Sequence, residues 1–97
     1  MDVLPKPIVF DWDEGNIDKN WAKHKVSNEE AEDALVSKPL IHEDARHSKH
    51  EKRYQALGET NHQRKLFVSF TIRGGRIRVI SSRDMNRKER SVYEKET

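Results

Sequence analysis

Two runs of strand-forming residues on either side of a glycine pair constrain the fold of this chain more than any other feature of its sequence. The glycines are Gly74 and Gly75, and the flanking runs are residues 66–72 and 76–82. Both runs are rich in β-branched or aromatic residues, and a glycine pair between such runs predicts a tight β-hairpin. Arginine and aliphatic side chains alternate at the start of the second run, so Arg76 and Arg78 are predicted to share one face of the strand, opposite an apolar face.

Three other segments have helical patterns. Asp13 is predicted to be the N-cap of a first helix over residues 14–25. The residues that recur on one face of this helix are Ile17, Trp21 and His24. Ser27 and Glu30 have the spacing of a capping box and predict the start of a second helix. A last, polar helix is predicted over residues 87–95.

Further strands are predicted at residues 8–10, 40–42 and 53–58, in addition to the two strands of the hairpin. Because the later strands follow one another through short turns, the sheet is expected to be antiparallel. We therefore predict an α+β fold in which a small antiparallel β-sheet packs against helices. Ninety-seven residues suit one domain and leave no room for two, so residues 1–97 are predicted to form a single domain.

The absence of cysteine and of long apolar segments excludes several classes of protein. No apolar run approaches the roughly 20 residues of a membrane helix, and the N-terminal residues lack the pattern of a signal peptide. Without cysteine the chain forms no disulfide and offers no thiolate ligand to a metal. These features fit a cytoplasmic protein, and no membrane partner is expected.

The net charge of +2 conceals an asymmetry between two parts of the chain. Residues 1–61 carry 9 basic and 13 acidic side chains, a net −4, whereas residues 62–97 carry 10 basic and 4 acidic ones, a net +6. Seven of the nine arginines lie in the second part. Because the guanidinium group matches the geometry of phosphate oxygens, this part is a candidate for binding nucleic acid. The alternative is a solvated basic surface.

Histidine and acidic residues are concentrated in residues 42–50, but their spacing does not favour a metal site. They are His42, Glu43, Asp44, His47 and His50. A zinc-binding helix of the common type needs two histidines four residues apart, whereas His42 and His47 are five apart in a polar segment. We therefore predict a polar loop here, with no metal ion and no cofactor.

A second group of residues has the composition that metal-free cleavage of a phosphodiester needs. Such cleavage requires a base for the 2′-hydroxyl proton, cations for the charged phosphorus centre and an acid for the leaving oxygen. Glu51 and His24 are candidates for the base or the acid. The candidates for holding the phosphate are Arg53, Arg78 and Arg83. The last helix, which follows, carries Arg87, Arg90 and Tyr93. The alternative is that Glu51, the single carboxylate of this group, only balances the charge of a sheet arginine.

Three blocks of residues, spread over residues 10–93, occur in the order and spacing of a known family. The first block comprises Phe10-Asp11-Trp12-Asp13, Asn20, Lys23-His24, Val26-Ser27 and Glu30-Ala31. The second comprises Glu43-Asp44, Arg46-His47, Glu51, Arg53-Tyr54 and Ala56-Leu57-Gly58. The third comprises Arg76-Ile77-Arg78-Val79-Ile80-Ser81, Arg83, Glu89-Arg90 and Tyr93. Together the three blocks resemble the BrnT family, the toxin half of a bacterial type II toxin–antitoxin pair.

The resemblance implies a RelE-like toxin fold and an endoribonuclease activity that needs no metal and arrests growth by cutting RNA. It also implies a cognate antitoxin, expected to be BrnA-like and of the ribbon-helix-helix type, with operator DNA bound only through the toxin–antitoxin complex. The catalytic residues that it implies are Lys23, His24, Glu51, Arg53, Arg78, Arg83 and Tyr93. Further contacts to RNA are expected from Arg76, Arg87 and Arg90.

The chain departs from the family pattern at two positions after the first predicted helix. Lys25 stands where the family usually has glycine, and Asn28 stands where it commonly has phenylalanine. A left-handed backbone at Lys25 costs roughly 1 kcal/mol. These departures leave open a second hypothesis, a catalytically inactive homologue that acts as a binding module in an antitoxin–operator complex. Direct DNA binding by the basic strand pair ranks below both, because no helix-turn-helix pattern is present.

Overall fold

The computed structural model describes residues 3–97, which form a four-stranded sheet with helices packed against it. The helices are α1 (Lys19–His24), α2 (Asn28–Val36) and α3 (Arg87–Glu96). The strands are β1 (Leu40–Glu43), β2 (Arg53–Glu59), β3 (Lys65–Arg73) and β4 (Arg76–Asp84), with a short 3-10 helix (Ala45–His47) between β1 and β2. The predicted α+β class is confirmed. Residues 1 and 2 of the predicted domain lie outside the described residues.

The strands follow one another in chain order, and each pairs antiparallel with the next. The predicted hairpin is confirmed, since Gly74 and Gly75 join β3 to β4 with φ angles of 56° and 76°, which glycine adopts without steric cost. The register aligns Arg53 with Thr71, and Thr71 with Arg78. We call these three residues the arginine row, because they place guanidinium groups from β2 and β4 on either side of one threonine.

The main core lies between α2 and one face of the sheet. The predicted capping box is confirmed, because the Glu30 N–H donates to Ser27 Oγ at 3.1 Å and the Ser27 N–H donates to Glu30 Oε1 at 2.9 Å. The backbone of α2 lies close to β2 at Gly58, where an added Cβ would overlap the carbonyl oxygen of Ala34. The buried core residues are Val26, Ala31, Ala34, Leu35, Ala56, Leu66, Val68, Phe70, Ile77 and Val79.

The opposite face of the sheet packs against α3 at one end. Tyr93 of α3 forms a second cluster there with Leu57 and Met85, and Leu40 and Phe67 are partly buried beside it. The arginine row lies on this same face, because Arg53 and Leu57 are four residues apart on β2 and side chains alternate between faces. This face is therefore apolar under α3 and basic toward the β3–β4 hairpin.

A β-bulge in β4 determines which of its arginines share a face. The register with β3 shifts by one residue, and Ile80 is the extra residue on β4. Ser82 is consequently buried on the α2 face, and Arg83 emerges on the face of the arginine row, where its guanidinium stacks on Phe67. Strict alternation from Arg78 would have directed Arg83 toward the core.

The N-terminal segment covers the outer edge of β4. Ile77 exchanges two backbone hydrogen bonds of 2.8 Å with residues 9 and 11. Further along, the buried side chains of Asn16 and Asn20 bond to backbone groups of β4 at 3.1 and 2.9 Å. This edge of the sheet therefore has hydrogen-bonding partners within the chain, which protects it from pairing with other strands.

The prediction of a helix over residues 14–25 with Asp13 as its N-cap is wrong. The helix begins only at Lys19, and Asp13 instead accepts a hydrogen bond from the Gly15 N–H at 2.8 Å within the preceding turn. Ile17 and Trp21, whose spacing predicts one face of that helix, are 41% and 56% exposed. The physical reason is that this segment covers a strand edge through its buried asparagines instead of packing an apolar stripe against the sheet.

Lys25 adopts the left-handed conformation that glycine usually provides at the end of a helix, with φ and ψ of 56° and 37°. Its N–H bonds to the Trp21 carbonyl at 3.0 Å, which closes α1. The Lys25 ammonium also lies 5.5 Å from the centre of the Trp21 ring, and this cation–π contact offsets part of the roughly 1 kcal/mol cost of the conformation.

Arg64 links the end of α1, the start of α2 and the end of β4. Its guanidinium donates to the Asp84 carboxylate at 2.7 and 3.1 Å and to the Glu30 carboxylate at 3.1 and 3.2 Å. It also donates to the Lys25 carbonyl at 2.8 Å. The hydrogen bond from Arg64 is the main cause that lowers the pKa of Asp84. Burial raises the pKa of Glu30, but hydrogen bonds from Ser27 and Arg64 outweigh it, and the net shift is downward.

We expect Arg64→Met to lower the free energy of unfolding at neutral pH by about 1–2 kcal/mol, after allowance for solvent screening at Asp84. A carboxylate whose pKa is lowered by folding stabilises the fold at pH values above its ordinary pKa, which is 3.8 for Asp84 and 4.5 for Glu30. This contribution disappears as the pH falls through the lowered pKa. Urea unfolding at neutral pH and at about pH 3 tests this. The variant should lose less stability in acid than the wild type, and equal losses would contradict the assignment.

Candidate active site

Glu51 lies among the arginines of the sheet face, just before β2. Its carboxylate forms a two-point ion pair with Arg73, at 2.6 Å to Nε and 3.2 Å to Nη2. The hydrogen bond from Arg73 lowers the pKa of Glu51, and the charges of Arg53 and Arg78 lower it further. Glu51 is therefore ionised at neutral pH, so it can accept a proton but has none to donate.

Arg78 is held by a carboxylate from the N-terminal segment. Its Nη1 and Nη2 donate to the two oxygens of Asp13 at 2.7 and 2.8 Å, and the Asp11 carboxylate lies 3.8 Å away. The Arg78 side chain is only 15% exposed, so an incoming phosphate has to displace or share Asp13. Sequence reasoning missed this pair, because its members are 65 residues apart and no local pattern connects them.

A surface cleft of about 340 Å³ lies between the 3-10 helix and the start of β2. Its lining residues are Arg46, His47, Lys49, His50, Glu51 and Arg53. Five of these six side chains carry a positive charge or acquire one on protonation, which suits the cleft to a phosphate backbone. The segment predicted as a polar loop is thus the wall of a cationic cleft that contains the predicted pair Glu51 and Arg53.

Arg83 and Tyr93 lie at the other end of the same sheet face, beside α3. Arg83 forms a two-point ion pair with Glu89 at 2.8 and 3.0 Å, and its guanidinium lies 4.2 Å from the centre of the Phe67 ring. Tyr93 is 7% exposed, and burial raises the pKa of its hydroxyl. Along β4, Arg83 is roughly 15 Å from Arg78. These two predicted residues therefore form a separate group.

Lys23 and His24 form a third group, in the last turn of α1. The pKa of Asp84 is lowered mainly by its hydrogen bond with Arg64 and also by the charge of His24, which places His24 near the C-terminal end of β4. Lys23 is exposed on the same turn. The structure thus brings together Glu51, Arg53 and Arg78 but distributes the other four predicted catalytic residues between two other places.

The three predicted RNA-binding arginines also lie in two places. Arg76 is exposed and pairs with Arg73 at the end of the β3–β4 hairpin, next to the arginine row. Arg87 and Arg90 line a second surface cleft of about 440 Å³ on α3, together with Ser91 and Glu94. Arg76 therefore adjoins the Glu51 site, whereas Arg87 and Arg90 extend the basic surface along the last helix.

The histidines of residues 42–50 are engaged with neighbouring polar side chains. His42 Nε2 lies 2.9 Å from Gln55 Oε1, and His47 Nδ1 lies 2.8 Å from Asp44 Oδ2. Within residues 3–97, no three or more His, Asp or Glu side chains converge as a group that could hold a metal ion. Over the same residues, the structure contains no helix with the length and apolar character that crossing a membrane requires.

Comparison with known proteins identifies the family. A family model for the ribonuclease toxin BrnT of type II toxin–antitoxin systems matches residues 12–89. Among solved structures, the chain is similar to the ribonuclease toxin BrnT of Brucella abortus, with a TM-score of 0.58 and 28% sequence identity, over 82% of this chain and 99% of that chain. No curated protein matches the chain. The resemblance of the three sequence blocks is thereby confirmed, and the chain belongs to the BrnT family of ribonuclease toxins of type II toxin–antitoxin systems.

Proposed function

We propose that this chain is an endoribonuclease that cleaves RNA without a metal ion, through attack of a 2′-hydroxyl on the adjacent phosphate. The observation that carries the proposal is the position of Glu51, an ionised carboxylate that Arg53, Arg73 and Arg78 surround beside the cationic cleft. A proton acceptor next to several fixed cations meets two of the three requirements of this chemistry.

In the proposed reaction, Glu51 accepts the proton of the 2′-hydroxyl while the 2′-oxygen attacks phosphorus. Arg53 and Arg78 stabilise the negative charge that develops on the non-bridging oxygens, and one well-placed donor of this kind contributes about 3 kcal/mol. The bond from phosphorus to the 5′-oxygen then breaks. The products are a 2′,3′-cyclic phosphate and, after the leaving oxygen takes up a proton, a 5′-hydroxyl.

For the other predicted residues we propose contacts with RNA on either side of the scissile phosphate. Arg76 extends the arginine row at the hairpin, and the groups farther away are Lys23, His24, Arg83, Arg87, Arg90 and Tyr93. Arg83 and Tyr93 also hold α3 on the sheet through Glu89 and the second apolar cluster. Alanine variants at these two positions therefore need a stability measurement beside each cleavage assay.

Purified protein is expected to cleave a mixed-sequence RNA as fast in excess EDTA as in its absence. DNA of the same sequence should remain intact, because it lacks the attacking hydroxyl. Gel analysis of the fragments, with chemical identification of the 2′,3′-cyclic phosphate, measures both results. Cleavage that disappears in EDTA and returns with a divalent cation would contradict the metal-independent mechanism.

We further propose that the partner in the cytoplasm is a BrnA-like antitoxin of the ribbon-helix-helix type, and that operator DNA is bound only through the complex. Membership of a type II toxin–antitoxin family implies an antitoxin. Carboxylates of this chain already bind the guanidinium groups of Arg78 and Arg73. This supports an antitoxin segment with acidic side chains, which would compete with RNA for the same groups.

One observation favours a second candidate function, a catalytically inactive homologue that acts as a binding module. Asp13 occupies Arg78 and Glu89 occupies Arg83, so neither guanidinium is free to receive a phosphate in the unbound chain. Inactive chains of this kind would still bind antitoxin and repress the operator as a complex.

Inducible expression separates the two functions. The active toxin is expected to arrest growth, co-expression of the antitoxin encoded beside it should restore growth, and Glu51→Ala or Arg83→Ala should relieve the arrest. Growth measured by optical density, with protein levels followed by immunoblot, provides the readout. A wild-type chain that never inhibits growth, or variants that inhibit it as strongly as the wild type, would favour the binding module.

A further inference from the structure

A histidine–aspartate pair lies in the wall of the cationic cleft. His47 Nδ1 is 2.8 Å from Asp44 Oδ2, and the His47 side chain is 61% exposed whereas that of Asp44 is 10% exposed. The hydrogen bond with His47 is the main cause that lowers the pKa of Asp44, so Asp44 is an ionised acceptor. Asp44 therefore holds the proton on Nδ1 of the imidazole and leaves Nε2 directed away from the pair, toward solvent.

The Asp44 carboxylate is fixed from the side of the sheet. Gln55 Nε2 donates to Asp44 Oδ2 at 3.2 Å, and Gln55 Oε1 lies 2.9 Å from His42 Nε2. The 3-10 turn that carries His47 is tied to the first residue of β2, because the Asp44 N–H donates to the Arg53 carbonyl at 2.7 Å and the Arg53 N–H donates to Ser48 Oγ at 3.0 Å. The imidazole is thus positioned relative to Arg53, which we propose to bind the phosphate.

The proposed site lacks one of the three groups that the cleavage needs. Glu51 is ionised and cannot donate a proton, and the guanidinium groups around it do not deprotonate at neutral pH. The leaving 5′-oxygen nevertheless has to be protonated. Imidazole is the side chain whose ordinary titration range is closest to neutral pH, and His47 shares the cleft with Glu51 and Arg53.

Building on the function proposed above, we propose that His47 is the general acid of RNA cleavage and that Asp44 is its positioning residue. Protonated His47 donates the proton on Nε2 to the 5′-oxygen as the bond from phosphorus to that oxygen breaks. Glu51 holds the proton taken from the 2′-hydroxyl, and the fragment leaves with a 5′-hydroxyl. Glu51 thus gains one proton and His47 loses one. Proton exchange with water restores both residues for the next turnover.

The charges around His47 include both signs. The carboxylate of Asp44 lies 2.8 Å from His47 Nδ1, and cations line the cleft that His47 shares. The ionisable groups that share the pair or the cleft with His47 are Asp44, Arg46, Lys49, His50, Glu51 and Arg53.

The decisive experiment uses an RNA in which sulfur replaces the bridging 5′-oxygen at one mapped cleavage position. A thiolate leaves without protonation, so this substrate needs no general acid. His47→Ala is expected to cleave ordinary RNA about 100-fold or more slowly than wild type, yet to cleave the sulfur-containing RNA at a rate similar to wild type. Glu51→Gln should be slow on both substrates, because its proposed role is at the 2′-hydroxyl.

His62→Ala is the matched control, since His62 is an exposed histidine on the β2–β3 turn and should leave both rates unchanged. Asp44→Asn should slow cleavage of ordinary RNA but keep cleavage of the sulfur-containing RNA, because Asp44 is proposed to act through His47. Two results would overturn the assignment of His47 while leaving the proposed function in place. One is that His47→Ala cleaves ordinary RNA as fast as wild type does. The other is that His47→Ala is as slow, relative to wild type, on the sulfur-containing RNA as on ordinary RNA. If wild type cleaves no RNA in EDTA, the proposed function itself fails.

Discussion

Gly58→Ala is expected to destabilise the fold by about 3 kcal/mol or more, because Gly58 has the least room for an added methyl group among the four glycines. The added Cβ would overlap the carbonyl oxygen of Ala34, which belongs to the backbone of α2 and has no rotamer to escape into. Relief requires α2 to move away from β2 and opens the main core. For a domain of this size the melting temperature should fall by roughly 15 °C, measurable by circular dichroism.

Gly74→Ala supplies the matched control for this prediction. Gly74 has a φ of 56°, and an added Cβ would meet no atom within 4 Å, so alanine there carries only the conformational cost of about 1 kcal/mol. The same chemical change should therefore be at least twice as damaging at Gly58 as at Gly74. Equal losses would show that the approach of α2 to β2 is looser than the structure indicates.

The parts of the fold that sequence predicted correctly depend on short-range chemistry. The capping box of Ser27 and Glu30 and the turn at Gly74 and Gly75 are set by residues within a few positions of one another. The first helix was predicted wrongly, because the spacing of its apolar residues is a local signal, whereas the segment packs against a strand that is distant in the chain. Asn20 is buried against the backbone of β4, 62 residues away in the chain.

The candidate site was likewise predictable only where it depends on local sequence patterns. Period-two alternation placed Arg78 on the basic face, but the partner of each arginine depends on long-range packing. The sequence predicts a single carboxylate opposite the arginines, whereas in the structure Asp13 pairs with Arg78 and Glu89 pairs with Arg83. Both guanidinium groups are therefore already paired within the chain, and RNA or antitoxin has to compete for them.

The pair of His47 and Asp44 was within reach of sequence reasoning but was not found there. The two residues are three apart, and one turn of 3-10 helix brings side chains at that spacing to the same side. A search of residues 42–50 for a metal-ligand pattern does not reveal an aspartate that orients an imidazole. The three-residue spacing of Asp44 and His47 is visible in the sequence. That this turn lies beside Glu51 and Arg53 in one cleft is visible only in the folded chain.

Arg78→Ala is expected to slow RNA cleavage by roughly 10²–10³-fold, because it removes a fixed donor from the charge that develops on the phosphate. Arg78→Lys should recover only part of the rate, since an ammonium group cannot reproduce the planar fork that now binds both oxygens of Asp13. Single-turnover cleavage at saturating protein measures the chemical step, and thermal unfolding of each variant shows that it is folded.

Two further variants distinguish a phosphate-binding role of Arg78 from a structural one. Asp13→Asn breaks the same ion pair but leaves the guanidinium in place, so it should lose much less activity than Arg78→Ala and should bind RNA at least as tightly as wild type. Lys95→Ala removes an exposed positive charge from the last turn of α3 and should change the rate little. If Asp13→Asn is as inactive as Arg78→Ala, then the pair with Asp13, and not a contact of Arg78 with the phosphate, accounts for the loss.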